Sequence, residues 1–301
     1  LLTGLNGRPL KVESSDSMYT DTETVYLPER VSSQKTKEEN FNLIKASAIH
    51  LWAQTYYGTW RVKKSDFDSF ANIDNAVRAY HFLETIRLDS KIKSELPGIG
   101  RILDNFNPKD KIKSISKNFK KAVDLLEKEK SSHLDSLNLV PDIIEDLDRI
   151  PKSLYAGDLN LDSVTSVTND RINQDKESFE KALDELHDQW RQVEDNPDDN
   201  ENSNDEKNNE KTFSVSKENK EDEYDVVLEY GDTSISPPEN VKQLMESIIQ
   251  DLGEIPDEYL EPAGDGGYNT DPENDETAND YQNSNFDFSY DEWDHARQKY
   301  R

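Results

Sequence analysis

Cysteine is absent from the 301 residues. That excludes disulfides, thiolate metal ligands and cysteine nucleophiles, and it is consistent with a reducing, cytoplasmic setting. Long apolar runs are missing as well. Nothing approaches the roughly 18–20 consecutive apolar residues of a helical membrane span, so no membrane insertion is expected. No signal-peptide pattern opens the chain, and residue 1 is Leu rather than Met, which predicts a piece excised from a longer polypeptide. Apolar residues are scarce at 33%, against roughly 45–50% in ordinary globular domains. Part of the chain is therefore expected to stay unfolded while the rest carries a richer core. Positive charge is short too: 36 Lys+Arg face 64 Asp+Glu, a net charge of −28. Such a chain repels nucleic acid and anionic lipid unless a local basic patch overrides the field.

The acidity is uneven. Residues 191–225 hold thirteen acids against five bases, and the stretch from Asp195 to Lys211 has no aromatic or aliphatic side chain beyond Pro197. It cannot bury enough apolar area to offset the entropy of ordering, so residues 194–222 read as an acidic disordered linker. A second run, Asp257 to Asp294, carries thirteen acids and no base, but Tyr259, Leu260, Tyr268, Tyr281, Phe286, Phe288, Tyr290 and Trp293 are interleaved. Those aromatics need a surface to pack on. The expected organisation is a mainly α scaffold domain with a minor β component over 1–193, the linker over 194–222, and a strand–helix and aromatic-acidic segment over 223–301.

Five helices are expected. Thr36-Lys37-Glu38-Glu39 is a capping box. It opens a helix with Phe41, Ile44, Ala48, Trp52 and Thr55 on one stripe and Leu43, Ser47, His50, Gln54 and Tyr57 on another, ending at Gly58. Two useful faces make a helix central rather than peripheral. The second runs from about Asp74 to Leu96, with Val77, Tyr80, Glu84, Arg87 or Leu88, and Ile92 on one side, and Pro97-Gly98 stops it. The third covers about Lys113–Lys130 (Ile115, Phe119, Val123, Leu126), with a lysine-rich outer face. The fourth covers about Lys176–Val193 (Phe179, Leu183, Leu186, Trp190, Val193). The fifth follows Ser236-Pro237-Pro238, with Val241, Leu244, Met245, Ile248 and Leu252 aligned and Gly253 at the C-terminal cap. Strands are expected at Thr24–Leu27 and Val226–Tyr230.

His50-Leu-Trp-Ala-Gln54 has the spacing of H-E-x-x-H, in which two His at i and i+4 bind zinc and the Glu activates water. Here Leu51 replaces the base and Gln54 the second ligand. Glu84 could supply a third position, but one imidazole and one carboxylate make a poor zinc site. The simpler reading is His50 hydrogen-bonded at a helix–helix contact. The sharper one is a degenerate zincin-like scaffold whose positions His50, Gln54 and Glu84 no longer bind metal. Glu84 and Arg87, at i and i+3, read as an ion pair holding helices in register; His81 beside them is weak support for acid–base chemistry. Gly264-Asp265-Gly266-Gly267 lacks the Lys-Ser/Thr of a phosphate loop. The run from Asp271 lacks the Gly and Glu of a calcium loop. The lysine-rich helix also carries Asp124, Glu127 and Glu129, so it reads as a solvated face rather than a nucleic-acid patch. No catalytic residue and no cofactor are expected.

Several segments occur together: Tyr19-Thr-Asp-Thr-Glu-Thr-Val-Tyr-Leu-Pro28, Ala48-Ile-His-Leu-Trp-Ala-Gln-Thr-Tyr-Tyr-Gly-Thr-Trp60, Leu83-Glu-Thr-Ile-Arg-Leu-Asp-Ser-Lys-Ile-Lys-Ser-Glu-Leu-Pro-Gly98, Ile255-Pro-Asp-Glu-Tyr-Leu-Glu-Pro-Ala-Gly264 and Tyr290-Asp-Glu-Trp-Asp294. Their order resembles the region preceding the von Willebrand factor A domain in the nitric-oxide-reductase activation protein (NorD) and Rubisco-activating (CbbO) family, over almost the whole chain. The resemblance implies a non-catalytic adaptor that pairs with a hexameric MoxR-type AAA+ ATPase. It directs that ATPase to a target enzyme, Rubisco being slightly favoured over nitric oxide reductase. The family contacts its target through the D-x-S-x-S site of the von Willebrand domain. That motif is absent here, and the chain stops at Arg301, about where the domain would begin. Two other readings compete: a divergent zincin-type metal-dependent hydrolase, and an acidic nucleic-acid mimic seated in a basic groove.

Overall fold

A computed structural model describes residues 2–6, 8–106, 117–150, 152–194, 213–217, 226–230, 233–260, 293–294 and 299–300. The chain is mainly helical with a minor β component. Among the described residues, no helix is long and apolar enough to cross a membrane. Contacts gather residues 1–262 into one compact unit and 263–301 into a second.

The first unit opens with a short helix α1 (Leu2–Asn6) and a three-stranded sheet of β1 (Lys11–Ser14), β2 (Tyr19–Thr20) and β3 (Thr24–Leu27) in the order β1-β3-β2. β1 runs parallel to β3 and β2 antiparallel to it. The β2–β3 turn is built by Asp21, whose Oδ1 accepts from the amides of Glu23 and Thr24 and whose Oδ2 accepts from the Tyr26 hydroxyl. At its centre Thr22 takes a positive φ of 83°.

Helix α2 (Lys37–Tyr56) begins at the capping box, with Thr36 and Glu39 bonded reciprocally. From Leu43 onward it is buried on most sides, whereas Phe41 is 57% exposed beneath the Lys45 ammonium. The expected stripe through Phe41 is therefore corrected: the first turn of α2 projects past the core. Gly58, at φ 71°, turns the chain into two short 3-10 turns, Thr59–Arg61 and Lys64–Phe67. Helix α3 (Ile73–Glu95) starts at the Asn72 cap. α3 stops before Pro97-Gly98 as expected, and Pro97 then begins a new helix, α4 (Pro97–Phe106). Proline suits a first helical position because that N–H has no intrahelical acceptor anyway.

α5 (Lys117–Leu126) lies within the expected third helix, whose earlier part falls outside the described residues. α6 (His133–Ile143) had no counterpart among the expected helices. α7 (Leu161–Glu194) starts fifteen residues before Lys176, because its first turns are mostly polar and their few apolar residues, Leu161, Val164 and Val167, make only a short stripe. Next come β4 (Phe213–Lys217), β5 (Val226–Tyr230) and β6 (Thr233–Ile235), an antiparallel sheet in that order. The linker reading is thus corrected at Phe213–Lys217, which pairs along the whole of β5. Residues 195–212 and 218–222 lie outside the described residues. α8 (Glu239–Leu252) ends at Gly253 in the left-handed conformation, as its sequence predicts.

Three apolar cores result. The first joins Leu43, Ile49, Trp52, Leu88, Ile92 and Leu103. The second joins Phe67, Tyr80, Leu83, Phe119, Val140 and Ile143. α3 serves both, with Leu88 and Ile92 in one and Tyr80 and Leu83 in the other. The third joins the distal part of α7 (Phe179, Leu183, Leu186) to the β4–β6 sheet and α8, and closes on Ile255, Tyr259 and Leu260. In the second unit, Trp293–Asp294 pairs antiparallel with Lys299–Tyr300; the other tail aromatics from Tyr268 to Tyr290 lie outside the described residues.

Candidate functional site

The distal half of α2 packs on the middle of α3, and both helices bury polar side chains there. α2 contributes His50, Gln54 and Thr55; α3 contributes Glu84, Thr85, Arg87 and Asp89. Buried polar groups are stable only when paired, so their partners decide what the cluster does.

Glu84 and Arg87 pair side-on. Arg87 Nε donates to Glu84 Oε1 at 2.7 Å, and Nη2 donates to Oε2 at 2.6 Å. The same Nη2 donates to the Tyr57 carbonyl at 3.0 Å. The Thr59 hydroxyl donates to Glu84 Oε2, and the Tyr80 hydroxyl donates to the Thr59 carbonyl at 2.6 Å. The end of α2 and the turn after Gly58 are therefore fastened onto α3. Burial pushes the Glu84 pKa up. The Arg87 charge and hydrogen bonds, helped by Ser136 and Thr59, outweigh it and hold the carboxyl below its ordinary value.

His50 is fully buried. Burial, reinforced by repulsion from His81, lowers its pKa to about 3 against the pull of Glu84 and the Thr85 backbone. Asp89 Oδ1 lies 3.8 Å from Nε2. That is beyond hydrogen-bond length, and the imidazole is neutral well above pH 3, so this approach is not an ion pair at neutral pH. Neither ring nitrogen makes a hydrogen bond of regular geometry among the described residues; the hydrogen-bonding neighbour of His50 is the Thr85 backbone of α3, across the helix–helix contact. The His50 ring meets Tyr155 edge-on, with centroids 5.4 Å apart. The Tyr155 hydroxyl donates to Asp89 Oδ2 at 2.6 Å, and burial together with the Asp89 charge raises the phenol pKa. Gln54 Nε2 donates to the Ala156 carbonyl at 2.8 Å, and His81 Nε2 lies 3.3 Å from the same oxygen. The segment around Tyr155 is thereby clamped across α2 and α3.

The three degenerate zincin-like positions thus have separate employments. His50 sits uncharged against the Tyr155 ring beside Asp89, Gln54 holds a backbone carbonyl, and Glu84 has both oxygens committed to Arg87 and Thr59. Among the described residues, no three His, Asp or Glu side chains stand close enough to hold a metal. A surface depression on the outer face of α5 is lined by Lys120, Lys121, Asp124, Leu125 and Lys128, none of them part of this network. Thr59, Asp89 and Tyr155 were not singled out from the sequence. Asp89 follows Arg87 on the same helix, but nothing marks Tyr155, which lies 66 positions beyond its partner. The glycine-rich segment 264–267 and the run from Asp271 lie outside the described residues.

Comparison with protein-family models, with curated proteins and with solved structures finds no match.

Proposed function

We propose that this chain is a non-catalytic adaptor region that works with a hexameric MoxR-type AAA+ ATPase to activate or remodel a target enzyme, Rubisco first and nitric oxide reductase next, in the cytoplasm. One observation carries the proposal: the polar residues concentrated at the α2–α3 contact are consumed in holding elements together. Glu84 is neutralised by Arg87, Gln54 binds backbone, and His50 is uncharged at neutral pH. Such a cluster builds a rigid body, and Glu84, Gln54 and His50 are not poised for proton transfer at neutral pH.

The motifs behind the resemblance support the same reading. His50, Gln54, Tyr57 and Thr59 come from one quoted segment, and Glu84, Arg87 and Asp89 from another. In the structure all of these but His50 make hydrogen bonds that fasten α2 and the turn after it to α3 and to the Tyr155 segment. Two of the segments that carry the resemblance therefore supply side chains of the scaffold. The zincin-type alternative needs His50, Gln54 and Glu84 turned to a shared metal, whereas their hydrogen bonds direct Gln54 and Glu84 elsewhere.

Association of the full chain with a purified MoxR-type hexamer, by analytical ultracentrifugation and ATP hydrolysis, tests the proposal. A stable complex with altered ATP turnover is expected. No association, or a zinc-dependent hydrolysis that disappears in His50→Ala while the far-ultraviolet circular dichroism is unchanged, would overturn it.

A further inference from the structure

The third core meets the rest of the first unit across a seam that is polar on both sides. On α8, Val241, Met245, Ile248 and Ile249 belong to the third core. Ser247, Gln250 and Asp251 turn the other way. Arg8 grips Asp251 with Nη2 at 2.9 Å from Oδ1 and Nη1 at 3.2 Å from Oδ2. Arg171 of α7 grips the same carboxylate, Nε at 2.7 Å from Oδ2 and Nη2 at 3.0 Å from Oδ1. Arg171 also donates to the Thr22 hydroxyl at 2.8 Å and to Glu23 Oε1 at 3.2 Å. Gln250 Nε2 donates to Asn6 Oδ1 at 3.1 Å. Arg61 donates from Nη2 to the Ile249 carbonyl at 2.9 Å and from Nε to the Gln250 carbonyl at 3.2 Å.

We infer that distal α7, the β4–β6 sheet and α8 form a module held on the α2–α3 scaffold by a releasable ionic latch, and that this module shifts as a unit when the latch opens.

Three observations carry this. First, the third core shares no buried residue with the other two. Parting the seam thus transfers charges and hydrogen bonds to water, where they are largely replaced, and does not expose a core. Polar interfaces of this kind are the ones across which folded parts move. Second, although α8 also touches α2, the side chains that grip the module from the scaffold side, Asn6, Arg8, Thr22, Glu23 and Arg61, come from the amino-terminal segment, the β2–β3 turn and the short turn after Gly58, and none of them lies in α2 or α3. Third, Thr22 is buried, β-branched and held at a φ of 83°, a conformation that costs free energy unless its surroundings enforce it. Arg171 bonds the Thr22 hydroxyl, whereas Thr20 Oγ1 and Asp21 Oδ1 hold the amides of the turn, so the turn stays formed when Arg171 departs. The latch does not depend on the proposed adaptor role.

Because the chain has no cysteine, two introduced cysteines can be spin-labelled without background. Lys35→Cys and Asn240→Cys place labels at exposed positions on the scaffold and on the module. Double electron–electron resonance on the full chain is expected to give one narrow distance. Adding Arg8→Gln and Arg61→Gln is expected to add a second, longer-distance population while the far-ultraviolet circular dichroism is retained. An unchanged distribution overturns the inference. If the double variant does not fold, Arg61→Gln alone decides, because no second cation duplicates its hold on the Ile249 and Gln250 carbonyls: a smaller second population supports the latch, and a single unchanged distance overturns it.

Discussion

Glu84 and Arg87 are 1% and 2% exposed at their side chains, so each is stable only while the other is present. Removing one partner of a buried pair leaves an uncompensated charge, at a cost of about 3–5 kcal/mol. Glu84→Gln is therefore expected to lower stability by about that amount in urea denaturation, whereas replacing both residues with leucine is expected to recover much of it. His50 makes a separate, pH-dependent contribution. Its folded pKa of about 3 lies below its unfolded value of 6.5, so the unfolded chain binds the proton more readily. The native chain then loses stability as pH falls through that window, by about 5 kcal/mol across the whole of it. His50→Leu is expected to flatten the denaturation free energy between about pH 6.5 and about pH 5, before ordinary carboxylates titrate. An equally steep profile in the variant would rule out His50 as the source. Glu84 acts lower: its contribution is present above the unfolded carboxyl pKa and disappears as pH falls through its depressed folded value. At this scale the sequence exposed His50, Gln54, Glu84 and Arg87 through their helical spacing. Tyr155 and Thr59 stayed hidden because their partners come from other elements, and spacing along one helix says nothing about contacts between them.

Among the elements, those with a marked beginning or end were the readable ones. The Thr36 capping box, the Gly58 turn, the Pro237-Pro238 entry and the Gly253 cap all stand where local chemistry requires. α7 was read short because the apolar residues of its first turns, Leu161, Val164 and Val167, are few among polar ones, and α6 was missed although Asp135 Oδ2 accepts from both the amide and the hydroxyl of Ser132 at its start. β4 lies in a segment whose charge suggested disorder, but Phe213 reaches the third core and decides its fate. Gly58 has a further duty. A Cβ there would stand 2.6 Å from Arg61 Nε, and the residue already holds a φ of 71°. Gly58→Ala should therefore combine backbone strain with displacement of the Arg61 side chain, costing about 1–3 kcal/mol. A lower urea midpoint together with faster amide exchange in the last turn of α8 is the expected signature. A lower midpoint without the change in exchange would mean that Arg61 keeps its hold.

Over the whole molecule, charge is strongly segregated. Residues 1–190 hold 27 Lys+Arg against 32 Asp+Glu, while the remaining 111 residues hold 9 against 32. The folded helical part is thus close to neutral, and the field of the chain originates towards its carboxyl-terminal end. The third core closes at Ile255, Tyr259 and Leu260, and the compact unit ends at Pro262. A chain ending at Pro262 is accordingly expected to keep its thermal midpoint, whereas one ending at Gly253 is expected to lose several degrees, measured by circular dichroism. Asp251 has a consequence of its own. Because two guanidiniums clasp one carboxylate, the anion stays compensated when either cation is withdrawn and is stranded only when both are gone. Substitutions at Arg8 and Arg171 should then penalise each other, the pair costing more than the two single changes together. A lineage could discard one arginine almost silently, and from that moment the other would become indispensable.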